Sequence, residues 1–128
     1  MSDVQKNPVR RCLLVDDSDE YLNILATMLE PDFEVVWAHN GLLAWNLFLE
    51  QTFDLIISDF VMPVMNGFEL IRRIRDRDQK IPVFMITGYE IVDPDNFKRR
   101  MELLNINGLL SKPLKKDDLL SQLNELFV

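Results

Sequence analysis

Five short apolar runs, separated by stretches whose apolar residues recur every three or four positions, leave this chain few folds to choose from. The runs at 11–15, 33–38, 54–58, 81–86 and 108–111 are predicted strands. They are near-continuously apolar rather than alternating, which marks strands covered on both faces, as in a mostly parallel sheet flanked by helices. Tyr21, Ile24, Leu25 and Met28 set a helical period after the first run, and Phe68, Ile71 and Ile74 do so after the third; both stripes are predicted to face the sheet. A last helix carries Leu119, Leu120, Leu123, Leu126 and Phe127 on one face. The expected fold is α/β, a doubly wound five-stranded parallel sheet of order 2-1-3-4-5.

Punctuation agrees with that layout. Asn40-Gly41 opens the second helix, Asp93-Pro94 supplies a cap and a first-turn proline, and Asn105 can end the fourth helix in the left-handed conformation. Arg72, Arg73, Arg75, Asp76 and Arg77 are read as the solvated side of helix three. With 128 residues and 48% hydrophobic content, one core accounts for the chain. Its ends divide into a flexible stretch, 1–10, and a folded domain, 11–128.

Net charge is −7, from 14 Lys+Arg against 21 Asp+Glu, which argues against a general affinity of this domain for nucleic acid or anionic membrane and points to protein partners. Met1–Arg11 lacks the apolar stretch of a secretory signal, no run is long enough to span a membrane, and the lone Cys12 is read as a buried thiol. A cytoplasmic location is the expectation.

The chemistry lies in acids at strand ends. Asp16 and Asp17 follow the first run and Asp59 the third, and in the expected strand order these strands are neighbours at the reversal of winding, where ligands bind beyond the carboxyl ends. Three carboxylates in one crevice repel unless a cation offsets them, and hard oxygens with open water positions suit Mg²⁺. The metal would also let an anionic phosphoryl donor approach, making Asp59 the acceptor nucleophile. Thr87 and Lys112, at the ends of the fourth and fifth runs, project to the same edge; a hydroxyl and an ammonium suit phosphoryl oxygens. Singly, each acid reads more readily as a helix cap, with Ser18 or Asp19 available for that role, Thr87 as a turn hydroxyl and Lys112 as a surface lysine. Their convergence reverses that weighting. Lys112-Pro113 is also a candidate cis peptide.

Taken in order, Val15-Asp16-Asp17, Asp59-Phe60-Val61-Met62-Pro63-Val64-Met65-Asn66-Gly67, Thr87-Gly88 and Lys112-Pro113 resemble the signatures of the receiver domain of two-component response regulators, over about residues 9 to 127. The resemblance implies a flavodoxin-like (βα)5 sandwich, as in CheY. It implies that Asp17 and Asp59 ligate Mg²⁺ directly, that the Val61 backbone carbonyl completes the protein ligands, and that Asp16 acts largely through water. Asp59 would take its phosphoryl group from a phosphohistidine on a sensor histidine kinase or phosphotransfer protein, with the receiver supplying much of the chemistry. Thr87 and Lys112 would then shift the face formed by helix four, strand five and helix five, changing the contacts made with a downstream target or fused effector domain. His39, beside Asn40-Gly41, reads as a solvated turn residue rather than a phosphohistidine.

Four departures from the pattern stand out. Leu109 replaces the usual aromatic three residues before the lysine, leaving Leu109 itself or Tyr89 to report the switch. Ile91–Asn96 lengthens the connection into helix four. Val61 and Tyr89 give an apolar lining to the position of the hydrolytic water, which predicts a long-lived phosphorylated state. Helix two, with Leu42, Leu43, Ala44, Trp45, Leu47, Phe48 and Leu49, has more apolar surface than one sheet contact buries; a partner or dimer surface through Leu42, Trp45 and Leu49 and extra core packing are equally open.

Two other functions compete. Asp17-Ser18-Asp19 resembles the nucleophile loop of haloacid-dehalogenase-like phosphatases, but Tyr21 departs from that loop and Asp59 is left without a role. A receiver-like scaffold that is never phosphorylated is the second alternative, against which the full acid, threonine and lysine set counts.

Overall fold

The computed structural model describes residues 9–88 and 91–127, in which five strands alternate with five helices. In chain order these are β1 (Arg10–Val15), α1 (Asp19–Leu29), β2 (Phe33–Ala38), α2 (Gly41–Glu50), β3 (Leu55–Asp59), α3 (Gly67–Arg75), β4 (Val83–Thr87), α4 (Pro94–Leu103), β5 (Gly108–Ser111) and α5 (Lys116–Phe127). All strand pairings are parallel, in the order β2-β1-β3-β4-β5. The expected fold and strand order are both present. The N-terminal stretch expected to be flexible falls, through residue 8, outside the described residues; Arg10 already belongs to β1.

Side chains alternate across the strands and so build two cores. Leu13, Val15, Ile56, Val83 and Met85 face one layer with residues of α2, α3 and α4. Cys12, Leu14, Leu55, Ile57, Phe84 and Ile86 face the other with α1 and α5. Burial pushes the Cys12 thiol well above its ordinary pKa, so it behaves as a core residue.

The helices start where short polar side chains replace missing backbone partners. Ser18, Asn40, Asn66 and Asp93 accept hydrogen bonds from the backbone N–H groups of Tyr21, Leu43, Glu69 and Asn96, at 3.4, 2.9, 2.9 and 3.2 Å. Each cap is worth about 1 kcal/mol. Asn105, at φ 53°, turns the chain out of α4 as expected. Phe68, Ile71 and Ile74 are buried on α3, each side chain contributing roughly 1.5–3 kcal/mol.

Two expectations are corrected. The buried stripe of α1 is Leu22, Leu25, Ala26 and Leu29, one position round from the predicted one; of the predicted residues only Leu25 is buried, because the Ser18 cap sets the phase of the helix. Arg75 is not on the solvated side of α3: it is buried, donating Nε to the Leu104 carbonyl at 2.7 Å, Nη2 to Asn105 at 2.9 Å and Nη1 to Asp78 at 3.1 Å. Its guanidinium ties α3 to the carbonyls that end α4, a use of arginine that charge patterning does not reveal.

On α2 only Gly41 and Ala44 are buried. Leu42, Leu43 and Leu49 are exposed, and Trp45 is half-buried, stacked on Phe48. Extra core packing therefore does not account for the outer leucines.

Candidate metal centre at the carboxyl rim

β1 and β3 are adjacent, with Val15 beside Ser58, so the residues that follow them meet at one rim. One carboxylate oxygen from each of Asp16, Asp17 and Asp59 lies within 4.8 Å of the others. Asp16 and Asp59 are buried and Asp17 is exposed, so the cluster has a closed floor and an open side. Asp16 Oδ1 accepts a hydrogen bond from the Ser18 N–H at 2.9 Å, and the Asp16 N–H donates to the Ala38 carbonyl of β2 at 3.1 Å. Asp59 Oδ1 is buried with no hydrogen-bond partner among the described residues.

Lys112 closes the site from β5. Its Nζ lies 3.0 Å from Asp16 Oδ2 and 3.3 Å from Asp59 Oδ2, and its backbone N–H donates to the Thr87 carbonyl at 2.9 Å. Burial, together with the negative charge of Asp16, raises the Asp59 pKa, while Lys112 and the Val61 backbone N–H work the other way without cancelling the rise. Burial also works to lower the Lys112 ammonium, but the two carboxylates outweigh it and hold the pKa above the ordinary lysine value. Thr87 is buried one residue beyond Ile86, the β4 partner of Asp59. The sequence-predicted set Asp16, Asp17, Asp59, Thr87 and Lys112 thus gathers at one rim.

The loop that follows β3 is held tightly beneath it. Met65 donates to Pro63 at 2.8 Å across Val64, whose φ of 73° places a β-branched residue in a strained three-residue turn. Gly67 comes so close to β3 that a Cβ there would lie 2.6 Å from the Asp59 carbonyl oxygen. The Lys112-Pro113 peptide is cis, as expected, and Glu30-Pro31 is a second cis peptide.

Several features escape a linear reading. The rings of Phe60, Phe68 and Phe97 pack at 5.0 Å from one another, and beside Thr87 they line a cavity of about 340 Å³ with Val61 and Ile91. Tyr21, read from sequence as a sheet-facing residue, lies with its ring centroid 4.1 Å from Lys112 Nζ. The Ser18 cap was the available clue, since it puts residue 21 on the first turn, at the rim. His39 is exposed as expected and pairs with Asp19 at 2.6 Å. Leu109 is half-buried against the α2–α4 core, and Tyr89 lies outside the described residues.

The family model of the response regulator receiver domain matches residues 12–124, which takes in the whole cluster. The chain belongs to this family. A receiver domain is a signalling switch of two-component systems, and Mg²⁺ binding at an acidic cluster is general to the family. The domain is 31% identical over 123 residues to the response regulator receiver protein CpdR of Brucella abortus, covering 94% of this chain and 98% of that one. It is 35% identical over 120 residues to a probable transcriptional regulator, ycf29, of Porphyra purpurea, covering 89% of this chain and 55% of that protein. The receiver thus spans about half the length of the ycf29 proteins it matches. Among solved structures, the chemotaxis response regulator CheY4 of Vibrio cholerae superposes with a TM-score of 0.82 at 30% identity, covering 94% of this chain and all of that one. No helix among the described residues is long and apolar enough to cross a membrane.

Proposed function

We propose that this receiver domain accepts a phosphoryl group on Asp59 and thereby changes which protein it binds. The observation that carries this reading is the buried, unpartnered Asp59 Oδ1 within one cluster with Asp16 and Asp17, facing the Lys112 ammonium. Like-charged oxygens so placed fit a hard divalent cation, and Asp17 and Asp59, with the Val61 carbonyl, would hold Mg²⁺ while Asp16 acts through water. Bound there, Mg²⁺ neutralises charge on the incoming phosphoryl oxygens.

In the transfer, an Asp59 carboxylate oxygen forms the O–P bond as the N–P bond to a phosphohistidine breaks, and the departing imidazole nitrogen takes up a proton. The donor is a sensor histidine kinase or phosphotransfer protein. Lys112 exchanges a carboxylate oxygen for a phosphoryl oxygen, and Thr87 donates its hydroxyl to another. Because the Lys112 N–H is bonded to the Thr87 carbonyl, the ends of β4 and β5 respond together. With Leu109 in place of an aromatic, the Phe60–Phe68–Phe97 cluster lies where movement of Thr87 would be felt by α4. The readout is a downstream protein or a fused effector domain, contacted by α4, β5 and α5.

Incubation with Mg²⁺ and acetyl phosphate tests this reading. It predicts one acid-stable, base-labile phosphoryl group per chain; continuous phosphate release from a phosphomonoester would instead make the protein a phosphatase, and no uptake would make it a scaffold. Val61, 45% exposed beside the cluster, is expected to hinder the hydrolytic water. Val61→Asn should shorten the phosphoryl lifetime several-fold, measured by decay of the labelled protein; an unchanged or longer lifetime removes that role.

A further inference from the structure

An ammonium has three N–H donors, and at Lys112 two directions lead to Asp16 and Asp59 at 3.0 and 3.3 Å. The third side is closed by an aromatic face, the Tyr21 ring at 4.1 Å. A ring face attracts a cation through its quadrupole, most strongly where water is scarce, and the Lys112 side chain keeps only 15% of its exposure. Without the ring, that side of the ammonium would turn to solvent, and a four-carbon stem with freely rotating bonds would give several positions to the charge.

The Tyr21 backbone is anchored at the start of α1. Its N–H donates to the Ser18 side chain that caps α1, and the same Ser18 donates its N–H to Asp16 Oδ1. The backbone of the residue beneath the ammonium and the carboxylate facing it are therefore tied to one cap. The ring carries no charge, so it can remain in place while Lys112 exchanges carboxylate oxygens for phosphoryl oxygens.

We propose that Tyr21 is a positioning residue that holds the Lys112 ammonium at the acceptor through the face of its ring. This rests on the reading of Asp59 as phosphoacceptor and assigns a further residue to that chemistry. The ring is what matters and the hydroxyl is dispensable.

The full chain carrying Tyr21→Leu or Tyr21→Phe tests the proposal, with Mg²⁺ and acetyl phosphate as the probe. Tyr21→Leu is expected to slow phosphoryl uptake roughly three- to tenfold, and Tyr21→Phe to stay within about twofold of the unaltered chain. The ε-methylene protons of Lys112 should carry an upfield ring-current shift in NMR spectra, kept in Tyr21→Phe and lost in Tyr21→Leu. Equal uptake by Tyr21→Leu and the unaltered chain, or a Tyr21→Phe as slow as Tyr21→Leu, overturns the proposal while leaving the phosphoacceptor reading intact. Failure of the unaltered chain to take up phosphoryl at all overturns that reading first.

Discussion

At the amino rim of the sheet, Arg11 is matched group by group: its N–H donates to Asp54 at 2.7 Å, and its guanidinium donates to the Thr52 carbonyl and Gln51 and lies near Glu34. At the carboxyl rim of the same strands, Asp16, Asp17 and Asp59 crowd together and one buried Asp59 oxygen has no partner among the described residues. The first rim gains from its charges. The second holds charges that oppose folding, and side chains retained against that cost are the ones a bound ion and a chemical step would use.

The largest effect expected from this contrast follows removal of the Lys112 ammonium from the crowded rim. In metal-free buffer Lys112→Met should lower stability by about 2 kcal/mol, below the range for a fully buried pair because the ammonium is still partly exposed. Urea unfolding measures it, and added Mg²⁺ should restore much of the loss. If Lys112→Met were as stable as the unaltered chain without metal, the rim would not be under electrostatic strain.

Asp59→Asn should act in the opposite direction, stabilising the metal-free protein by about 1.5 kcal/mol at neutral pH, since it removes a charge that burial and Asp16 disfavour. The pH dependence has a definite sign. A carboxyl whose folded pKa is raised contributes stability that is full below its unfolded value and lost as pH rises through its folded value. The advantage of Asp59→Asn should therefore shrink as pH falls through the raised Asp59 pKa; a constant or growing advantage would contradict this cause.

At the matched rim, Arg11→Ala should destabilise by about 1 kcal/mol, equally with and without Mg²⁺. Smallest of all, Leu42→Ser on α2 should change stability by no more than about 0.5 kcal/mol, because Leu42 is 44% exposed. A larger loss on thermal unfolding would mean that the outer face of α2 contributes to the monomer's core.

The strands, their order and the gathered acids were legible because they follow from apolar run length and from what must stand at a parallel strand's carboxyl end. What escaped depends on side-chain direction. Arg75 reads as one more charge on a basic helix until its fork meets the α4 carbonyls, and Tyr21 reads as part of an apolar stripe until the Ser18 cap sets its angle. The Phe60–Phe68–Phe97 cluster joins three separate segments, a loop and two helices, that no local pattern connects.

Where the phosphoryl group goes is the most direct test of the claim on which the rest depends. After incubation with Mg²⁺ and acetyl phosphate, borohydride reduces an aspartyl phosphate to homoserine, and peptide mass spectrometry locates the altered residue. The expected result is homoserine at position 59 and nowhere else. Homoserine at position 17, or an unaltered Asp59 in protein that has taken up phosphate, would contradict it.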